Sequence, residues 1–249
     1  MFPFNRVQNP KTRKLAYIAA GLVALAVVAI VIGYVVLYAV VSDDPNLAET
    51  APPIPTAVSG ARKPSLPSGT TVLHFVVDKG SSAKYVAREQ LSFAPVPTTA
   101  VGETKDVTGD IYLTRLGLAP GQKSSFKVDL RTITSDESLR DRAMKGVNAL
   151  ATDRFPFAEF VIESVPGFPT DYSPDKEVQL TMTGSLTLRE TTKPVTWNVH
   201  ARSSGDYLTA IADIDLKMTD FGITPPVASN ARVEDGVHLQ VTLYAKLAN

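Results

Sequence analysis

The chain has 249 residues, of which 44% are hydrophobic, and its 25 basic and 25 acidic side chains give a formal net charge of zero. From residue 70 onward there are 19 basic and 22 acidic residues. This net charge of −3 does not indicate the basic surface with which proteins bind nucleic acid. The absence of cysteine excludes disulfides, thiolate catalysis, cysteine zinc sites and a lipidated cysteine anchor.

The first element in chain order is a long apolar run without charge, residues 15–41. About 20 helical residues span the hydrocarbon core of a bilayer, so this run predicts a transmembrane helix. Four bases precede it within residues 1–14 and two aspartates follow it, so the positive-inside rule places residues 1–14 in the cytoplasm. We therefore expect a single-pass protein of the cell membrane with an extracytoplasmic C-terminal domain. A cleaved signal peptide is the alternative, although its apolar region is usually shorter, about 7 to 15 residues.

Proline, serine, alanine and threonine dominate residues 42–69, where no hydrophobic periodicity is present. This composition predicts a Pro-rich, semi-extended linker. The folded domain is then expected over residues 70–249.

Alternation with a period of two dominates that domain, as where Leu186 and Leu188 alternate with Thr187 and Arg189. Strands with one buried face give this pattern. About nine such runs follow one another, near residues 71–78, 83–91, 106–114, 126–131, 157–165, 180–189, 195–202, 207–217 and 237–244. Because turn residues and not helices separate them, the pattern predicts an all-β antiparallel sheet, closed into a barrel or folded as a sandwich.

One segment departs from the alternation. Residues 135–146 begin with a capping residue, carry acids in the first turn and bases in the last, and end at a glycine, which predicts one short helix. Its expected apolar stripe consists of Leu139, Ala143, Met144 and Val147.

The order of several short motifs carries a family resemblance. The motifs are VDLRTIT at 128–134, LRD at 139–141, FPFAEF at 155–160, GSLTLR at 184–189, TKPVT at 192–196 and DFG at 220–222. In this order and spacing the chain from residue 70 to 249 resembles the YceI-like family. The segment 78–85 departs from the family because it lacks the two histidines that members commonly carry there, which leaves the identity of a ligand open.

The resemblance implies a lipocalin-like antiparallel barrel of about eight strands with one short helix, enclosing an elongated apolar cavity that holds a polyisoprenoid. The inward apolar faces supply the candidate cavity residues: Phe126, Val128, Phe157, Phe160, Leu186, Trp197, Val199, Leu216, Phe221, Leu239 and Val241. Alternation alone does not separate a lined cavity from a packed interior, because an eight-stranded barrel can be filled by side chains or hold one slender ligand.

Three arginines near the predicted helix are candidates for binding a phosphate head group at a cavity mouth: Arg131, Arg140 and Arg142. Ion pairs with the acids of the same helix are the simpler interpretation of these charges.

The leading hypothesis is a binding protein that sequesters or carries a polyisoprenoid or quinone-like lipid beside the membrane. The alternative is a filled barrel that acts as a protein–protein interaction module of the envelope, and the resemblance leaves a homodimer open. We expect no enzyme, cofactor or metal site. The three histidines, His74, His200 and His238, each stand alone in a predicted strand, and the DFG motif has no Gly-rich nucleotide loop to accompany it.

Overall fold

The computed structural model of the chain describes residues 27–32, 45–55, 71–93, 96–169, 175–227 and 231–248. Residues 27–32 are helical. None of the helices in these ranges has the length and hydropathy that crossing a membrane requires. The rest of the predicted transmembrane segment 15–41, and the predicted cytoplasmic residues 1–14, lie outside the described residues.

Twelve strands make up the sheet within the described ranges. They are β1 Leu73–Val77, β2 Ser82–Leu91, β3 Thr98–Thr104, β4 Val107–Thr114, β5 Gly117–Leu118, β6 Ser125–Asp129, β7 Thr134–Ser135, β8 Phe157–Ser164, β9 Val178–Leu188, β10 Thr191–Ser204, β11 Tyr207–Lys217 and β12 Ala231–Leu247. The all-β prediction is confirmed. The nine predicted runs correspond to nine of these strands, whereas β3 and the two-residue strands β5 and β7 were missed.

The sheet closes on itself as an antiparallel barrel. Its closed path runs β1-β4-β6-β8-β9-β10-β11-β12 and returns to β1, because β1 pairs with both β4 and β12. Phe75 lies opposite Ile111 on one side and Leu247 on the other. This is the eight-stranded barrel that the family resemblance implied.

The long strand β12 pairs along one of its edges with two different strands. Its C-terminal residues pair with β1, and its N-terminal part pairs with β2 from Ala231↔Leu91 to Thr242↔Ser82. Strand β2 continues the sheet through β3 to β7. The three strands β2, β3 and β7 therefore extend the sheet at one end of the barrel. We call it the helical end, because the helix described next lies beside it.

Helix α1, Ser138–Lys145, begins later than the predicted residue 135, because the side chain of Glu137 caps it by accepting from the Leu139 amide at 3.1 Å. Asp141 Oδ1 accepts from the amide and the hydroxyl of Ser135, at 2.8 and 2.7 Å, and so joins the helix to β7.

The predicted apolar stripe of this helix is wrong. Leu139 and Val147 are 64% and 76% exposed, and Ala143 is exposed as well. Met144 alone of the four reaches the barrel interior. The face of α1 that turns inward carries Arg140, which the predicted apolar stripe does not include.

Residues 45–55, within the predicted linker, are docked on the barrel and belong to the same compact unit. We call this segment the strap. The backbone of Ala48 exchanges two hydrogen bonds with the side-chain amide of Gln240, at 2.9 and 3.0 Å, and Thr209 donates to the Pro52 carbonyl at 2.7 Å. The prediction of a semi-extended linker over 42–69 is corrected for residues 45–55, which are docked on the barrel. Composition predicted the linker, but it carries no information about contacts made nearly 200 residues away.

The strap lies over the middle of β11, where residues 209–212 are buried on both faces. Ala210 and Ala212 face the barrel interior, whereas Thr209 and Ile211 face the other way and are nevertheless fully buried. The middle of β11, a strand predicted to have one face in water, is thus covered on its outer face by the strap.

Candidate functional site

The barrel encloses a cavity of about 370 Å³. Its lining includes Leu73, Leu113 and Leu180 toward one end, and Leu216, Met218 and Phe221 toward the helical end. The walls therefore run along the length of the barrel. The volume lies in the range of about 300 to 1,000 Å³ that is typical of small-molecule sites.

The sequence-predicted cavity residues are brought together on the inner surface with one exception, Phe157. Phe157 and Phe160 lie on the same strand three positions apart, so the alternation of β8 directs them to opposite faces. Phe160 is buried in the interior, whereas the ring of Phe157 lies outside, beneath Lys127 Nζ at 5.0 Å and the Arg131 guanidinium at 5.3 Å. Phe157 has to be removed from the set of lining residues.

Trp197 and Phe160 form an aromatic contact in the wall. Their ring centroids are 5.9 Å apart with an interplanar angle of 63°, the edge-to-face arrangement that aromatic quadrupoles favour. Trp197 is 5% exposed, and its indole Nε1–H has no hydrogen-bond partner among the described residues. A buried donor without a partner costs about 1 to 3 kcal/mol. A bound molecule with an acceptor atom beside the Trp197 Nε1–H would therefore be stabilised by a hydrogen bond.

A largely buried ion pair lies in the mainly apolar wall at the helical end. Arg140 Nη2 of α1 lies 2.6 Å from Glu89 Oε1 of β2, and both side chains line the cavity. The Glu89 side chain is 7% exposed and that of Arg140 is 19% exposed. Burial alone would lower the pKa of Arg140, but hydrogen bonds to Glu89 and Asp136 outweigh it and raise the pKa above its usual value. Arg140 is thus charged and already paired.

Tyr85 lies on the same inner face of β2, four residues before Glu89. Its ring packs over Gly102 of β3, where a Cβ atom would come within 2.1 Å of the ring. Burial raises the pKa of Tyr85 to about 12, with a smaller opposing effect from Arg140, so its hydroxyl stays protonated. Ser135 is near enough to lower this pKa slightly, but no described residue meets the Tyr85 hydroxyl with hydrogen-bonding geometry.

The other two predicted head-group arginines do not reach the cavity. Arg131 is exposed and pairs with Asp129 at 2.6 Å, and this contact lowers the pKa of Asp129. Arg142 is exposed on α1 and is not among the lining residues. Of the three arginines only Arg140 belongs to the candidate site.

The DFG motif has a structural role at the helical end. Phe221 is buried and lines the cavity, and Gly222 follows with a φ of +67°, a conformation that favours glycine. Arg189 in the β9–β10 turn donates to the carbonyls of Gly222 and Ala149, at 3.0 and 3.1 Å. These bonds tie the turn to the segments beside it and hold Phe221 against the cavity.

The three histidines lie outside the cavity lining, and each contacts a carboxylate, contrary to the expectation that each stands alone. His74 is 2.6 Å from Asp110 and His200 is 3.1 Å from Glu177. His238 contacts Asp215 at 2.9 Å. No group of three or more metal-ligating side chains occurs within the described part of the chain.

Sequence reasoning missed Tyr85 and Glu89 as site residues. The signal was present, because β2 reads Ala83, Tyr85, Ala87 and Glu89 at alternate positions, and these four share the inner face. A glutamate at an inward position is normally assigned to solvent, since buried carboxylates are rare without a partner. Its partner, Arg140, is 51 residues away in sequence.

Residues 75–245 match the model of a protein family described as the YceI-like domain. A UPF0312 protein of Shewanella denitrificans is 26% identical over 181 residues, which cover 68% of this chain and 88% of that protein. Among solved structures, BcnA of Burkholderia cenocepacia is similar with a TM-score of 0.53 and 19% identity, over 68% of this chain and 99% of that one. A polyisoprenoid-binding domain from Saccharophagus degradans has a TM-score of 0.54 and 11% identity, over 71% and 99%. At these identities the two solved structures establish a shared fold.

Proposed function

The chain belongs to the YceI-like domain family, and from this premise we propose that it is a binding protein that holds one long apolar lipid, of the polyisoprenoid or quinone-like class, inside its barrel. The lipid is sequestered or carried there, away from water. The related domain from Saccharophagus degradans is described as polyisoprenoid-binding, which supports the ligand class.

The observation that carries the proposal is the cavity itself. It is long, and its walls consist mainly of aliphatic and aromatic side chains from the barrel strands. Apolar surface that is removed from water contributes roughly 25 cal/mol per Å² to binding. A slender chain of carbon atoms is the ligand that fills such a space without leaving polar groups unpaired.

The proposal is for a binding protein and not for an enzyme. Glu89 and Arg140, which line the cavity at the helical end, neutralise each other, and the histidines lie outside the lining. General acid–base or nucleophilic catalysis requires a group that is free to exchange a proton with a bound substrate. Turnover of a lipid ester by the purified protein would contradict this part of the proposal.

We further propose that residues 15–41 anchor the protein in the cell membrane with the barrel on the extracytoplasmic side. The charge-free run and the bases before it support this topology. A tethered barrel would receive its ligand from the adjacent bilayer without passage through bulk water. The test is protease accessibility of the barrel in intact spheroplasts and in lysed cells. Protection of the barrel in intact spheroplasts would contradict the proposed orientation.

Native mass spectrometry of the full chain, purified in mild detergent, tests the binding function. The expected spectrum contains the chain with one additional mass, which solvent extraction should recover as an isoprenoid or a quinone. A protein denatured before extraction and washed free of lipid serves as the control for carry-over. An unliganded chain that also takes up no isoprenoid added in detergent would contradict the proposal.

A second function has one observation in its favour. Leu139 of α1 and Val147, two residues beyond the end of that helix, are largely exposed, and exposed apolar side chains are typical of a contact surface. In that case the barrel would act as an interaction module of the envelope or as a homodimer. The double variant L139S/V147S should then lose a partner or dissociate, whereas lipid binding would be unchanged.

A further inference from the structure

The polar cluster at the helical end suggests which head group the cavity accepts. This inference rests on the proposed lipid-binding function and concerns the selectivity of the same site. Its members are the Tyr85 hydroxyl, the Arg140 guanidinium and the carboxylates of Glu89 and Asp136.

The charges of the cluster do not favour an anion. Arg140 contributes one positive charge, and Glu89 and Asp136 contribute two negative ones, so their sum is −1. A phosphate monoester carries about −1.5 to −2 at neutral pH. Brought beside Arg140, it would also stand next to the buried Glu89 carboxylate, where the low dielectric strengthens like-charge repulsion.

The guanidinium has little capacity left for a ligand. It donates to both oxygens of Glu89, at 2.6 and 3.5 Å, and also to Asp136 and to the Ser135 hydroxyl. A phosphate would have to displace one of these carboxylates. Displacing Glu89 would leave a charge buried without its partner, which is strongly unfavourable.

The Tyr85 hydroxyl is the group that remains available. It is buried, protonated and without a partner among the described residues, and Tyr85 lines the cavity. A hydroxyl or carbonyl oxygen of a ligand can accept its hydrogen bond without bringing a charge into the barrel.

The geometry points to the helical end as a specificity site that accepts a neutral oxygen-bearing head group, such as an isoprenoid alcohol or a quinone, and rejects a phosphorylated one. Glu89 acts here by neutralising Arg140, and Tyr85 acts by donating to the head group.

Three probes with the same C20 isoprenoid chain test this assignment: geranylgeraniol, its monophosphate, and phytane, a C20 hydrocarbon without a head group. Binding to the full chain in detergent is followed by the fluorescence of Trp197, the only tryptophan, which lies in the cavity wall. The decisive quantity is the ratio of variant to wild-type affinity for each probe, because partitioning into micelles cancels in this ratio.

Glu89→Gln keeps the size of the side chain and a hydrogen bond to Arg140 but removes the opposing charge. It is expected to tighten binding of the monophosphate at least tenfold while changing that of the alcohol less than twofold. Glu163→Gln removes the same charge from the outer face of β8 and should change neither ratio. Asp136→Asn, at an exposed position that cannot disturb the barrel packing, should favour the monophosphate by a smaller factor.

Tyr85→Phe is expected to weaken binding of the alcohol about fivefold to tenfold and to leave phytane unaffected. Unchanged ratios in the Glu89, Asp136 and Tyr85 variants, with all probes bound, would overturn the head-group assignment and leave the carrier function standing. If none of the probes changes Trp197 fluorescence, the proposed function itself fails and this inference fails with it.

Discussion

At the scale of single residues, Gly184 shows how a missing side chain lets two strands approach each other. It lies in β9 opposite Ile162, beside the irregularity of the β8–β9 pairing. A Cβ atom at this position would lie 2.0 Å from the Val161 carbonyl oxygen and 2.9 Å from the Phe160 ring. The glycine of the GSLTLR motif is therefore required by backbone contact and by the packing of a cavity-lining aromatic ring.

We expect Gly184→Ala to lower the free energy of unfolding by about 2 to 3 kcal/mol, since overpacking against backbone cannot be relieved by a change of rotamer. Gly236→Ala in β12 is the matched control, because a Cβ atom there would meet nothing within 4 Å. It should be neutral or slightly stabilising. Denaturant unfolding of the full chain measures both variants, and equal losses would contradict the packing argument.

Whether a residue lies at an inward or an outward position of its strand also decides how far the candidate site could be predicted. Leu186, Trp197 and Val199 were placed correctly on the inner face because each lies at an inward position of an alternating strand. Phe157 was misplaced because hydrophobicity was given more weight than its odd spacing from Phe160. Glu89 and Tyr85 were missed for the opposite reason, since their polarity outweighed their inward positions.

At the scale of elements, the strap is held by side chains of the barrel that are themselves buried. Thr209 donates to the Pro52 carbonyl at 2.7 Å from a fully buried position in β11. Thr209→Val preserves the shape of the side chain and leaves the carbonyl without its donor. The expected loss is about 1 to 2 kcal/mol of unfolding free energy.

Thr181→Val is the control for this substitution, because Thr181 is exposed in β9 and the same atoms are exchanged at the surface. Its effect should stay within about 0.5 kcal/mol. Limited proteolysis adds a second readout, since a weakened strap should be cleaved sooner in Thr209→Val than in Thr181→Val. Equal cleavage rates and equal stabilities would show that the strap is not anchored through this bond.

A carboxylate anchors the strap at a second point. Glu177 accepts from the Ala51 amide at 3.0 Å and from Arg202 at 2.9 Å, and His200 contacts it at 3.1 Å. Partial burial alone would raise the pKa of Glu177, but the hydrogen bonds from His200, Arg202 and Ala51 outweigh it and lower the pKa. The native state therefore takes up this proton only at a lower pH than the unfolded state does.

Because the pKa of Glu177 is lower in the native state than in the unfolded state, the sign of its effect on stability as a function of pH is fixed. The stability due to Glu177 is fully present above the unfolded pKa of about 4.3 and is lost as the pH falls through the lower folded value. Between pH 5 and pH 3 the wild-type chain should thus lose more unfolding free energy than the Glu177→Gln variant, which has no proton to gain. Denaturant unfolding at both values measures the difference, and parallel losses would contradict the role given to Glu177.

Helix α1 and strand β3 mark the limit of prediction at this scale. The helix was placed correctly but its buried face was not, because Arg140 turns inward to meet Glu89. Strand β3 was missed because its inward positions include Ala100 and Gly102, which give no hydrophobic alternation. The small residues are explained by what lies over them, namely the Tyr85 ring on Gly102, and that contact is not visible in the local sequence.

For the whole molecule, alternation fixes the face of each strand but not the distance across the barrel. The same inward residues would suit a packed core, so the sequence left open whether the interior was hollow. In the structure, Ala210 of β11 lies beside Ala201 and Leu243 in the cavity wall, and Ala212 lies beside Val199 and Val241. Short side chains at the middle of an inner face are consistent with a space kept free for a ligand.

Filling that space is the sharpest test of a hollow barrel. Ala212 lies between Val199 and Val241 in the sheet and lines the cavity, so Ala212→Phe places a ring in the middle of the proposed ligand path. In a packed core this substitution would cost about 1 to 3 kcal/mol. In a hollow barrel the ring enters free space and buries apolar surface, so the unfolding free energy should be unchanged or higher.

In a hollow barrel that holds a lipid, retained stability and loss of the lipid have to appear together in the Ala212→Phe variant. Ala212→Phe should retain stability and lose most of the co-purified lipid in native mass spectra, because the ring occupies the volume that the ligand requires. Thr181→Phe adds the same ring to the exposed outer face of β9 and should leave the bound mass unchanged. A destabilised Ala212→Phe variant would indicate a packed interior and favour the interaction module. A stable variant that still carries its full complement of lipid would place the ligand elsewhere on the molecule.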